Sequence, residues 1–210
     1  SLANGTNVLD KVRDKGTQVI YLDFTSTDDN YRSLTNVESS VEVKAKVITG
    51  SIEANGGSYG DVIAAEATLS GVELNDTVEV TLTYTGTAND GTTYNSTIVP
   101  TKAGTYEVTA TIVDVNYDLA ETKAAFVIEK ASPTTYFNSA IFDADWSSKL
   151  EDIDLSSVTK DIDGTYVFVN PETILEDVGN AQVFEAKFIP TDLNNYKEVL
   201  GAFVVNVLGG

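Results

Sequence analysis

The stretch Gly104-Thr105-Tyr106-Glu107-Val108-Thr109-Ala110-Thr111-Ile112, followed by Asp114-Val115-Asn116-Tyr117 and then Phe126-Val127-Ile128-Glu129, carries the fold in miniature. Tyr106, Val108, Ala110 and Ile112 alternate with Glu107, Thr109 and Thr111, the period of a half-buried strand. An acidic turn ending in Asn-Tyr follows, and a β-rich closing strand completes the phrase. The phrase recurs. Upstream it reads Gly16-Thr17-Gln18, Asp28-Asp29-Asn30-Tyr31 and Val41-Glu42-Val43-Lys44. Downstream it reads Gly179-Asn180-Ala181, Asp192-Leu193-Asn194-Asn195-Tyr196 and Phe203-Val204-Val205-Asn206. The tyrosines stand 86 and 79 residues apart, about the length of one small β-sandwich. A repeat of that period predicts an all-β chain of tandem β-sandwich modules in an elongated arrangement.

Other strands fit the same pattern. Val78, Val80, Leu82 and Tyr84 alternate with Glu79, Thr81, Thr83 and Thr85. Ile20, Leu22 and Phe24 in the first copy, and Phe184, Ala186 and Phe188 in the third, do likewise. Asn55-Gly56-Gly57, Asn89-Asp90-Gly91 and Asp163-Gly164 mark turns. The one segment with helical character is Ser147 to Ile153, long enough for a turn or two.

Boundaries are expected near Lys46–Thr49 and Lys130–Pro133. They divide the chain into a partial module (1–48), a full one (49–131) and a second full one (132–210). Ala131-Ser132-Pro133 is a tight linker that restrains its neighbours. Residues 1–48 hold about three strands and cannot close a two-layer core alone. They pack on the next module, pair with another chain, or are the back part of a cut domain; the last is the preferred reading.

With 42% hydrophobic residues among 210, the chain can bury real cores. No apolar run approaches the roughly 20 residues that cross a bilayer, and no signal peptide opens the chain. Cys, His and Met are absent, which excludes disulfides, thiolate metal sites and imidazole chemistry. The net charge is −19, split as −1, −9 and −9 over the three expected modules. Such a surface repels nucleic acid and anionic lipid and keeps the modules soluble.

The residues that carry a resemblance are Ser58-Tyr59-Gly60-Asp61, Leu82-Thr83-Tyr84-Thr85-Gly86, Lys102-Ala103-Gly104-Thr105-Tyr106-Glu107-Val108 and Asn116-Tyr117. Together they resemble the MBG-type bacterial Ig-like repeats, which occur in tandem in large cell-surface and secreted proteins. The third module is similar to a related repeat through Gly164-Thr165-Tyr166-Val167-Phe168, Asn170-Pro171, Phe188-Ile189-Pro190-Thr191-Asp192 and Asn195-Tyr196. Residues 10–31 look like the back half of that second type. The resemblance implies an extracellular, adhesin-like β-sandwich spacer whose partners are its neighbouring modules, and it brings no catalytic residues.

Several motifs invite chemistry. The Asp-x-Asn-Tyr turn has a structural account: Asp and Asn bond their own backbone, and Tyr31, Tyr117 and Tyr196 each bury a ring just before a closing strand, as in a tyrosine corner. Asp28-Asp29-Asn30, Asp143 with Asp145, and Asp161 with Asp163 suggest Ca²⁺, but none supplies the six to eight oxygens of a complete loop site. No cofactor is expected, with calcium at a module junction as the alternative. A Lys–Asn crosslink would need Asn206 and, as the one nearby lysine, Lys130. Trp146 and Tyr136, with Phe137 beside them, are the candidate contacts for a glycan or host surface protein. Without His or Cys there is no nucleophile–base dyad, and no pair among the 32 acids stands out for glycoside hydrolysis. The chain is therefore expected not to be an enzyme.

Overall fold

Each glycine of the repeated phrase opens a strand. In the computed structural model, which describes residues 14–209, β1 (Gly16–Phe24) and β2 (Leu34–Val43) are the strands of the first copy. Next come β3 (Lys46–Asn55), β4 (Gly57–Ser58), β5 (Ala64–Ser70), β6 (Val80–Ala88) and β7 (Thr93–Ser96). The second copy follows as β8 (Gly104–Ile112), β9 (Tyr117–Leu119) and β10 (Thr122–Glu129). The chain ends with β11 (Ile141–Asp145), β12 (Gly164–Phe168), β13 (Gly179–Pro190) and β14 (Val199–Leu208). The fold is all-β, with no α-helix among the described residues. Where helical character was expected over Ser147–Ile153, the chain makes one 3-10 turn, Leu150–Asp152, capped by Asp152 on the Lys149 N–H.

The described residues fall into two compact units. The first runs to Ala54 and takes in Ala65–Tyr84 and Val108–Ala124. Here β1 pairs antiparallel with β2, from Gly16↔Val43 to Phe24↔Leu34. A register shift between Leu22 and Phe24 breaks the alternation, so Phe24 lies exposed rather than on the face shared by Ile20 and Leu22. No residue from 14 to 43 is buried: these described residues form two strands, and one layer cannot enclose a core. A three-stranded sheet in the order β5-β3-β9 completes this unit, with β3 parallel to β9 through Lys46↔Tyr117 and Ile48↔Leu119. Ile48, Val108 and Tyr117 are among its buried side chains.

The second unit holds Asn55–Ala64, Thr85–Glu107 and everything from Ala125 on. One of its sheets runs β4-β10-β8-β6-β7, and strands β6, β8 and β10 have residues in both units. The other runs β11-β14-β13-β12. In both, the opening strand lies parallel to the closing one: β4 to β10 through Gly57↔Ile128, and β11 to β14 from Ile141↔Val204 to Asp145↔Leu208. The core between β12, β13 and β14 is aromatic. Phe203, fully enclosed, has the rings of Phe137, Phe142, Tyr166 and Phe168 within 5.2–5.9 Å.

Glycine is required where the Gly-Thr-Tyr phrase meets a neighbouring strand. A Cβ on Gly104 would stand 2.4 Å from the Thr87 carbonyl oxygen, and one on Gly164 2.4 Å from the Phe188 ring. The tyrosine two residues on is buried in both places. Tyr106 donates its hydroxyl to the Lys102 carbonyl (2.9 Å) and Tyr166 to that of Thr159 (3.2 Å).

Candidate functional site

All three Asp-x-Asn-Tyr turns form, and by one mechanism. A short Asp side chain reaches forward to the backbone two residues on and closes the turn. Asp28 Oδ1 accepts the Asn30 N–H at 2.9 Å, and Asp114 Oδ1 accepts those of Asn116 and Tyr117 at 2.7 and 3.1 Å. Asp192 Oδ1 accepts those of Asn194 and Asn195 at 3.1 and 3.2 Å. The Asn195 amide also donates to Asp192 Oδ2 at 2.7 Å. That amide bond and the backbone donors hold the Asp192 carboxyl below the usual carboxylate range.

The asparagine does a second job at long range. Its side-chain oxygen accepts the backbone N–H of the residue just before the glycine-opened strand of the preceding copy. Lys15, before Gly16, donates to Asn116 Oδ1 at 2.9 Å, and Ala103, before Gly104, donates to Asn195 Oδ1 at 2.9 Å. Chemistry decides which way the amides face. A carboxylate can only accept, so the Asn195 NH₂ turns to Asp192 and its oxygen is left for Ala103. The same asparagine's backbone carbonyl accepts from the residue that opens its own copy: Lys46 N–H to Asn116 O (2.8 Å), and Ala131 N–H to Asn195 O (2.9 Å). The second and third turns thus each clasp the end of one repeat while fixing the start of the next.

Around the second clasp, Asn89 donates its amide to the Asn194 carbonyl at 3.0 Å, and Tyr59 meets Tyr196 edge-on at 5.2 Å. Asn195 is 8% exposed. The Asp-x-Asn-Tyr motif by itself marks these asparagines as turn formers only. Their partners lie 101 and 92 residues away, beyond any local motif, and the one hint was the doubled Asn194-Asn195.

The tyrosines all precede closing strands but are not equivalent in burial. Tyr117 is 5% exposed and donates to Asp76 Oδ2 (2.5 Å) while accepting the Glu73 N–H (3.1 Å); its bond to the Asp76 carboxylate raises its pKa. Tyr196 is half-buried against Tyr59. Tyr31 is 73% exposed, contrary to expectation. Its turn is intact, but the described residues upstream supply no counterpart of the Glu73–Asp76 loop that covers Tyr117.

The candidate aromatic contacts divide. Phe137 is core. Tyr136 is half-buried, donates its hydroxyl to Asp161 Oδ1 at 2.6 Å, and gives its backbone N–H to the Tyr166 hydroxyl. Trp146 is 55% exposed, its Nε1–H anchored on the Glu176 carbonyl at 2.8 Å. The two rings are thus tied to different segments. Asn206 donates to Asp143 Oδ1 (2.8 Å) and accepts the Ala181 N–H, so its amide faces a carboxylate. Among the described residues, no three acids converge closely enough to hold a metal ion. No helix among them is long and apolar enough to cross a membrane.

Gly104-Thr105-Tyr106, with its glycine pressed on Thr87 and its tyrosine buried, and the Asp114–Tyr117 turn that clasps Lys15, set the character of the central segment. Residues 60–132 match the MBG domain family. Within that MBG segment lie Gly60-Asp61, Leu82 to Gly86, Lys102 to Val108 and Asn116-Tyr117. The chain matches no curated protein.

Proposed function

We propose that the chain is a non-catalytic spacer from a bacterial surface or secreted multidomain protein, an adhesin-like stalk in which Ig-like sandwiches follow one another at fixed joints. The observation that carries this reading is the repeated clasp, Lys15 N–H on Asn116 and Ala103 N–H on Asn195. A repeat that spends its most regular polar residue on the neighbouring repeat is built for holding geometry along a chain. The MBG match and the acidic, cysteine-free composition support an extracellular location. In this reading the partners are the neighbouring modules, with no nucleic acid, membrane insertion or cofactor involved.

Small-angle scattering on the chain tests it. An extended particle is expected, whose flexibility rises in an Asn116→Ala/Asn195→Ala variant; a compact particle defeats the spacer reading. The second reading, a module that binds glycan or a host protein, rests on the half-exposed ring of Trp146. Trp146 is the sole tryptophan, so its emission reports directly on ligand titrations, and a saturable shift would favour binding.

A further inference from the structure

The two filled clasps have two open counterparts in the same chain. In the first copy, Asp28 holds Asn30 much as Asp192 holds Asn195: its Oδ1 accepts both the backbone N–H and the side-chain NH₂ of Asn30, each at 2.9 Å. The amide oxygen is therefore turned away from Asp28, and among the described residues nothing donates to it. The turn is exposed throughout, Tyr31 included. In the third copy, the residue before the glycine-opened strand is Val178, the counterpart of Lys15 and Ala103. Gly179 pairs with Val207 of the closing strand as Gly16 pairs with Val43, which fixes the correspondence. The Val178 N–H donates to nothing among the described residues, and Val178 is 61% exposed.

We propose that the Asp28–Tyr31 turn is a docking surface for the Val178–Gly179 edge of a second copy of this repeat, with Asn30 Oδ1 accepting the Val178 N–H. An acceptor without a donor sits on one copy and a donor without an acceptor on another, each in the local geometry that is mated twice elsewhere. The contact is heterologous: the surface that docks differs from the surface that receives, so it propagates head to tail. A single clasp is weak between free chains and becomes firm where a covalent link raises the effective concentration. The inference rests on the clasp geometry and stands whether or not the chain serves as a spacer.

The chain has no cysteine, so introduced thiols report cleanly. The pair Ala103→Cys/Asn194→Cys, in one chain, keeps the Asn195 acceptor and the backbone N–H of residue 103, and calibrates the filled clasp by its intrachain crosslink with a short bifunctional thiol reagent. Separate Asp29→Cys and Val178→Cys chains, which keep Asn30 and the backbone N–H of residue 178, are mixed and treated with the same reagent, and are expected to give more heterodimer than the statistical half. Asp29→Cys mixed with Val62→Cys, a control position on an exposed residue, should give only the statistical share. A statistical yield for the Asp29–Val178 pair, with the calibration pair linked, overturns the proposal. In a parallel measurement the amide resonance of Val178 in labelled chain should shift on adding unlabelled chain and not on adding the Asn30→Ala variant. Equal shifts with both would also overturn it.

Discussion

Replacing Asn195 with alanine removes the acceptor for the Ala103 N–H at a site where Ala103 is fully enclosed. A buried donor left without a partner costs about 1–3 kcal/mol, so Asn195→Ala should lower the unfolding free energy by that much, read as a fall in the urea midpoint at unchanged slope. Asn195→Asp restores an acceptor but sets a second carboxylate against Asp192, so at neutral pH the loss should persist. Asp192 carries its own pH signature. Its carboxyl is held below its ordinary value by the Asn195 amide and the turn N–H groups. The stability it lends is complete above the unfolded carboxylate pKa, near 4, and is lost as pH falls through the lower folded value. Carboxyl NMR should place the Asp192 midpoint below that of an exposed Asp. The part of the acid destabilisation that belongs to Asp192 should vanish in Asp192→Asn. At this scale the turns could be read from the chain because Asp-x-Asn is a local device. The clasp could not, since its donors, Lys15 and Ala103, lie 101 and 92 residues from their acceptors. The burial of Tyr31 failed for a related reason: Tyr117 is covered by Glu73 and Asp76, and no four-residue motif carries its own cover.

Strand starts were legible wherever glycine is sterically enforced. Gly104 and Gly164 lie so close to a neighbouring strand that a methyl group would overlap it, and each opens a strand whose third residue is a buried tyrosine. Gly164→Ala should therefore cost at least about 1–3 kcal/mol through overpacking against Phe188, measured as a drop in melting temperature. In the same sheet Phe203 is the ring that four others surround, so Phe203→Ala should cost about 3–5 kcal/mol, while Phe203→Leu should recover much of it. Equal losses for both variants would mean that volume is not what Phe203 provides. Sheet order was beyond alternation. The period of two says which side of β11 or β14 faces in, but Ile141 finds Val204 through a parallel pairing across the whole third copy. The bulge that turns Phe24 outward is likewise a matter of register, invisible to a pattern that counts every second residue.

For the chain as a whole, charge is the dominant long-range term. A net charge of −19 with 13 basic residues leaves most carboxylates without a counterion from the protein, and most ion pairs lie on exposed side chains. Such pairs add little, and the surplus charge repels itself. Sodium chloride raised from about 0.01 to 0.15 M shortens the screening length from roughly 30 to 8 Å and should raise the melting temperature. A relief of about 1 kcal/mol corresponds to roughly 2–4 °C for a chain of this size. Calcium offers the sharper comparison. Asp143 is occupied by the Asn206 amide and Asp161 by the Tyr136 hydroxyl, so two of the acids nearest to a loop site already have a neutral donor. Folding driven by apolar burial needs no ion, and a chelator should leave the melting temperature within a degree or two. Magnesium and calcium at equal ionic strength should then stabilise alike, through screening alone. If calcium instead raises the melting temperature well beyond magnesium, a specific site is present, and Asp143→Asn, Asp145→Asn, Asp161→Asn and Asp163→Asn are the variants that would locate it.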